Sequence, residues 1–490
     1  MFLIRLIILL ALGVTATAAS AEWRRAESPN FVVFSTNSEE RLRERTLLLE
    51  DFDRLLRLLV AGEGEPSVNP LHVYVIPRTR DLQRISDVGT GVAGFYAPSA
   101  EGIAAFVSDE ASDRQNGILF HEYAHHFMLQ NARMSYPAWY IEGFAEYFMT
   151  AKFTKESIDI GNFSPDRASW LVAAEWLPWQ RVLGGTSGGL TPQGTSMFYA
   201  QSWLLTHYFY STPQRQTALR RYLANLAKEG PVRAMESATG LNMEAFTKEL
   251  RNYIRGGRIN YRRMQRPAAQ PIPVRVSALA RSADDLLIHE AQLRIGSTGG
   301  GAAAMLRAVR AAAAKHPGDP FAQRVLAHAE LLHGDRAVAL RLLEGLIAAN
   351  PADAQLMYLR GRLHLAAAEA GEEGATEQAR SWFAKAHRAD KNHYQTLYRY
   401  AESLRSGARA VSENTMNVLL LAHQLAPQVP EIRFNAGAVL LARGDLDLAE
   451  DVLAPLLNDP HNPQGAATAK KLLDEARARA APAAARPDSE

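Results

Sequence analysis

The chain has 490 residues, with 54 Lys+Arg against 52 Asp+Glu and no cysteine. Near-balanced charge lacks the cationic excess of a nucleic-acid binder, and the absence of cysteine excludes disulfide scaffolds, thiol catalysis and iron–sulfur clusters. The apolar fraction of 47% is ordinary for globular protein, the length suits roughly two to four domains, and any metal must be held by His, Asp or Glu.

Residues 1–21 read as an address. Arg5 precedes an uncharged run whose core, Leu6 to Val14, is apolar, and Ala19-Ser20-Ala21 forms a small-residue cleavage pattern. The expectation is an exported protein, periplasmic or secreted, with no membrane span in the mature chain. An uncleaved N-terminal anchor is the other reading, and the run is short of the roughly 20 residues a span requires.

Residues 22–115 have an α+β pattern. Phe31 to Phe34 and Leu71 to Ile76 are β-branched and aromatic runs, hence strands. Between them, Ser38 to Val60 carries Leu42, Leu48, Leu49, Leu55, Leu56 and Leu59 behind an acidic first turn, which predicts an amphipathic helix. The glycine-rich stretch Gly89 to Gly94 has no following lysine and reads as a hairpin connection or substrate-facing edge leading to a strand over Gly102 to Val107.

Residues 116–261 are expected to be mainly helical, broken by a loop from Gly184 to Gly194. They open on His121-Glu122-Tyr123-Ala124-His125, an H-E-x-x-H. Positions four apart lie about 40° from one another around a helix, so both imidazoles can face one metal ion. Glu122 is turned about 100° away and can reach a water as general base without being a ligand. A tetrahedral catalytic zinc needs a third protein ligand, and the segment after Pro137 offers Glu142 and, one turn later, Glu146.

The stretch HEYAH followed by Trp139-Tyr140-Ile141-Glu142-Gly143-Phe144-Ala145-Glu146 resembles the gluzincin metallopeptidases, in particular the aminopeptidase-N-type and peptidase MA-like families. The resemblance implies an α+β thermolysin-like zincin domain with a small N-terminal sheet. It makes Glu142 the third zinc ligand and Glu146 a carboxylate able to orient an imidazole. Phe198-Tyr199-Ala200-Gln201-Ser202-Trp203 is similar to the segment whose tyrosine stabilises the oxyanion, which makes Tyr199 a catalytic candidate; His207 is its rival, and His126 is assigned to packing. The family's Gly-Ala-Met-Glu-Asn motif, whose glutamate grips a free α-amine, has no counterpart. Ala93 to Pro98 lacks an acidic residue, so exopeptidase specificity does not carry over, although the stretch can offer a sheet edge to an extended peptide.

Residues 262–284 carry Pro267, Pro271 and Pro273 without a clear period and are expected to be a linker. Beyond it the chain becomes Ala/Leu-rich. His316-Pro317-Gly318-Asp319 recurs as Asn350-Pro351-Ala352-Asp353, the 34-residue spacing of a helix–turn–helix repeat. Residues 285–475 thus resemble tetratricopeptide (TPR) repeats, an all-α solenoid that would engage a protein substrate or partner, and residues 476–490 are expected to be disordered. Two functions compete: a zinc-dependent peptidase acting on a peptide or protein, and a non-catalytic TPR scaffold with a structural peptidase-like part.

Overall fold

The computed structural model describes residues 23–61, 68–89, 92–110, 115–131, 134–256, 259–267, 271–298, 301–405, 412–459 and 462–484. Residues 1–21, expected to be a leader, lie outside them. Among the described residues no helix is long and apolar enough to cross a membrane.

The strands are β1 (Arg24–Glu27), β2 (Phe31–Ser35), β3 (Leu71–Ile76), β4 (Gly94–Pro98), β5 (Ile103–Ser108), β6 (Lys152–Phe153), β7 (Ser157–Ile160), β8 (Arg262–Gln265) and β9 (Arg275–Ala278). Six of them form one sheet in the order β4-β5-β3-β2-β1-β9. The inner strands β2, β3 and β5 run parallel and are almost wholly buried, as a sheet covered on both faces requires. The edge strands β4 and β9 run antiparallel to their neighbours.

On one face lies the helix Glu39–Leu56, capped by Ser38, whose hydroxyl accepts from the Arg41 amide. Beside it lies the motif helix, Gln115–Asn131. Phe52 stacks on Phe120 with ring centres 4.1 Å apart, and the Tyr123 hydroxyl donates to Asp53 at 2.5 Å. The other face is covered by the helix Ser282–Arg294, which shares a core with Trp23, Phe34, Tyr74 and Phe106.

Residues 262–284 are therefore more than a connection. Arg262–Gln265 pairs with β7, and Arg275–Ala278 closes the main sheet beside β1. The three prolines fall between these strands rather than within them, where a missing N–H costs no ladder bond. Local periodicity cannot reveal such short edge pairings, because their stability comes from a partner far along the chain.

From residue 302 onward the chain folds as a solenoid-like run of antiparallel helix pairs. The first helices of four successive pairs begin at Pro320, Ala354, Tyr394 and Pro430. Asp319 and Asp353, the last residues of the repeated phrases, are the N-caps of the first two, accepting from the amides of Ala322 and Leu356. Gly361 and Gly437 let paired helices close up, for a Cβ at either would run into Phe383 or Leu453. The tail expected to be disordered from Ala476 instead continues the helix Pro463–Ala484. Its alanines and arginines are strong helix formers, and that propensity outweighs the single Pro482, which stands near the helix end. Residues 485–490 lie outside the described set.

The helix pairs share cores with the sheet half. Tyr394, Leu397, Tyr398, Ile432 and Val439 belong to the same buried cluster as Leu119, Tyr123 and Phe127 of the motif helix. The β4–β5 turn carries Glu101, whose carboxylate receives hydrogen bonds from Arg362, Arg399 and the Tyr358 hydroxyl. Tyr394 donates to the Ser99 carbonyl at 3.2 Å.

Candidate metal centre

The motif helix sets His121 and His125 one turn apart, with their Nε2 atoms 3.0 Å from each other. Residues 134–137 turn the chain back, and the glutamate helix Ala138–Phe148 starts at Pro137, whose fixed φ suits that position. Glu142 is fully buried, and its Oε2 lies 3.7 Å from His121 Nε2 and 3.5 Å from His125 Nε2. A triangle with sides of 3.0, 3.5 and 3.7 Å has a point about 2.0 Å from each corner, the ordinary zinc–nitrogen and zinc–oxygen distance. Two imidazoles and one carboxylate are also a donor set that leaves a fourth position open. These are the residues that can hold a cation together among those described.

Glu142 is positioned by its neighbour. A Cβ at Gly143 would collide with the Thr206 hydroxyl and the Ser202 carbonyl on the helix Pro192–Tyr210. Glycine there allows the two helices to touch, and so fixes how far Glu142 projects toward the histidines.

Glu146 plays a different part. Its carboxylate is held in a two-point pair by Arg167, at 2.7 and 2.6 Å, and its Oε1 lies 3.5 Å from His121 Nδ1. That arrangement fixes the ring whose other nitrogen faces Glu142. Arg167, on the helix Pro165–Ala173, escaped sequence reasoning because nothing local marks it; its partner is 21 positions away. Gly143 carried a signal, being the residue beside Glu142 in the motif, but its packing role is visible only in three dimensions.

Tyr199 stands at the site. Its ring centre is 6.4 Å from that of His121, and the Arg167 guanidinium lies 5.3 Å from its ring. The Glu142 carboxylate, burial, and the carboxylates of Glu146 and Glu122 all push its phenol upward, so it is a hydrogen-bond donor at neutral pH. Glu122 is largely buried beside the two histidines. His207 faces elsewhere: Nε2 donates to the Gly161 carbonyl at 2.9 Å, and Nδ1 lies 2.8 Å from the Tyr253 hydroxyl. His126 packs against β4, 3.0 Å from the Tyr96 hydroxyl, and burial lowers its pKa to about 3, which keeps it neutral.

No family model matches this chain, and no curated protein does. Among solved structures, it is similar to a thermophilic TPR protein of Thermus thermophilus, with 20% identity over 40% of this chain and 98% of that one and a TM-score of 0.32.

Proposed function

We propose that the protein is an exported zinc metallopeptidase that hydrolyses peptide bonds, built on a thermolysin-like zincin domain. The observation that carries this reading is the convergence of His121 Nε2, His125 Nε2 and Glu142 Oε2 around one point, with Glu122 on the adjacent helix position. When bound, zinc supplies Lewis acidity toward the scissile carbonyl and makes a water acidic enough to deprotonate near neutral pH. Glu122 takes the proton from the attacking water and later delivers it to the leaving amine nitrogen as the carbon–nitrogen bond breaks. The Tyr199 phenol donates a hydrogen bond to the oxyanion that forms at the attacked carbon. Arg167 and Glu146 hold His121 in register, and the edge strand β4, which touches the motif helix through Tyr96 and His126, suits an extended peptide. Export rests on the leader-like residues 1–21.

The test is Glu122→Gln, which should retain stoichiometric zinc and lose peptide hydrolysis by at least about a hundredfold. Undiminished cleavage by that variant would overturn the mechanism. The run of helix pairs favours a second reading, a scaffold that binds a protein partner while the metal site is structural. Zinc content measured together with chelator-sensitive hydrolysis of a mixed peptide library separates the two. The scaffold reading expects a partner complex and no cleavage.

A further inference from the structure

A cavity of about 520 Å³ opens directly beside the metal-binding residues, with His125 and Ile141, the neighbour of Glu142, in its wall. Tyr96 and Pro98, two positions apart on β4, border it from the sheet side, as alternate residues on one face of a strand do. The opposite side comes from the last helices, through Phe434 on the helix that begins at Pro430 and Ala466 on the helix Pro463–Ala484. The C-terminal helices therefore complete the space next to the candidate site; they are not a module hung beside it.

The polar groups of that wall are engaged within the protein. The Tyr96 hydroxyl lies 3.0 Å from His126 Nδ1, and the Tyr398 hydroxyl accepts from Asn435 Nδ2 at 3.0 Å. Asn435 Oδ1 accepts from Arg405 at 2.6 Å, and Asn462 Oδ1 from the Gly465 amide at 2.9 Å. Asp459 is buried with partners of its own, and the charge of Arg399 acts on Glu431. What faces the open space is chiefly carbon, from Leu129, Ile141 and Leu456 and from the rings of Tyr96, Tyr398 and Phe434. A charged side chain placed there gives up water for a carbon surface, whereas an apolar one gains by the exchange, and rings in the wall favour a ring in the ligand. On the last helix the small side chain of Ala466, itself 8% exposed, leaves the space open.

We propose that this cavity is a specificity subsite for a bulky apolar side chain of the peptide substrate, an aromatic one above all, and that Phe434 and Ala466 of the C-terminal helices determine what it accepts. The assignment rests on the peptidase reading for its purpose, since it names the substrate class of that site. A peptide laid along β4 repeats every two residues as the strand does, so one of its side chains falls over the cavity that Tyr96 and Pro98 border. Charged side chains are disfavoured by desolvation, and small ones by the space they leave unfilled.

The experiment uses full-length Glu122→Gln protein loaded with zinc, so that binding is read without turnover. Fluorescence anisotropy is measured for N-acetylated peptides identical except at one position, which carries phenylalanine, alanine, arginine or glutamate and is moved along the peptide in turn. At one position the phenylalanine peptide should bind about tenfold to a hundredfold more tightly than the alanine peptide, with arginine and glutamate no tighter than alanine. Adding Ala466→Leu, which fills the cavity from the last helix, should bring the phenylalanine-to-alanine ratio to within about twofold while the alanine affinity stays unchanged. Phe434→Ala removes a ring without adding bulk; it should lower the ratio by at least about threefold, and it carries the test should Ala466→Leu fail to fold. Equal affinity for phenylalanine and alanine at every position would overturn the proposal. So would arginine or glutamate binding as tightly as phenylalanine, or a preference that neither variant changes. A phenylalanine preference that the variants abolish, with no cleavage by the wild type, would sink the peptidase reading alone; cleavage without the preference would sink the subsite alone.

Discussion

Glu101 allows the attachment between the two halves of the chain to be weighed. Its side chain sits at the tip of the β4–β5 turn, 13% exposed, and is gripped by Arg362, Arg399 and Tyr358 from two helix pairs. Burial alone would raise its pKa; the two guanidinium groups override this and hold it at about 2, against an ordinary 4.5. That difference corresponds to about 3 kcal/mol favouring the charged, docked carboxylate. Because the folded pKa is depressed, this stability is fully present above pH 4.5 and is lost as the pH falls from there toward 2. Replacing Glu101 by Gln keeps the shape but takes the counter-charge from the Arg362 guanidinium and leaves Arg399 with Glu402 alone, a change that should cost about 2–4 kcal/mol. The assay is native-state hydrogen exchange. The Gly102 amide, bonded to the Ser99 carbonyl at 3.2 Å, should exchange roughly a hundredfold faster in Glu101→Gln than in the wild type at neutral pH. The two proteins should converge only as the pH falls to about 2 and below. Equal exchange rates at pH 7 would refute the claim that this ion cluster fastens the turn to the helix pairs.

Three further outcomes follow from the site. Glu142→Ala should weaken zinc binding by at least about a hundredfold in a chelator competition, whereas Glu146→Gln, which only loosens His121, should weaken it by about tenfold to a hundredfold. Tyr199→Phe should lower kcat by about a hundredfold with KM little changed, while His207→Phe should act on thermal stability, because both its ring nitrogens are engaged elsewhere. Gly143→Ala should lower stability by about 1–3 kcal/mol in urea unfolding and reduce zinc affinity in the same protein, since the helix that carries Glu142 must move away from Ser202 and Thr206.

What could be read from the sequence was whatever repeats or spaces itself within one helix. The two histidines of HEYAH lie one turn apart, so their convergence follows from helical geometry, and Glu142 needed only one short turn to return to them. Asp319 and Asp353 were legible as the ends of phrases 34 residues apart, while their work as helix caps emerged only with the fold. Arg167 with Glu146, β9 with β1, and Glu101 with Arg399 were not legible. Each joins residues from 21 to nearly 300 positions apart, and neither partner has a local pattern that requires the other.

The same reasoning explains why a boundary drawn at residue 262 marks a change of composition and not a division of the core. The Ala/Leu-rich half begins with a helix whose buried face rests on the back of the sheet, against Tyr74 and Phe106. Two pairs later, its Tyr394 and Tyr398 pack into the cluster that holds the motif helix, and its last pairs border the cavity beside His125. Cutting the chain after the linker would expose the apolar back of a parallel sheet, which such sheets do not tolerate in water. It would also leave Glu101 without Arg362 and Arg399. The helix pairs are thus needed to keep β4 and the motif helix in place, whether or not their remaining surface also binds a partner.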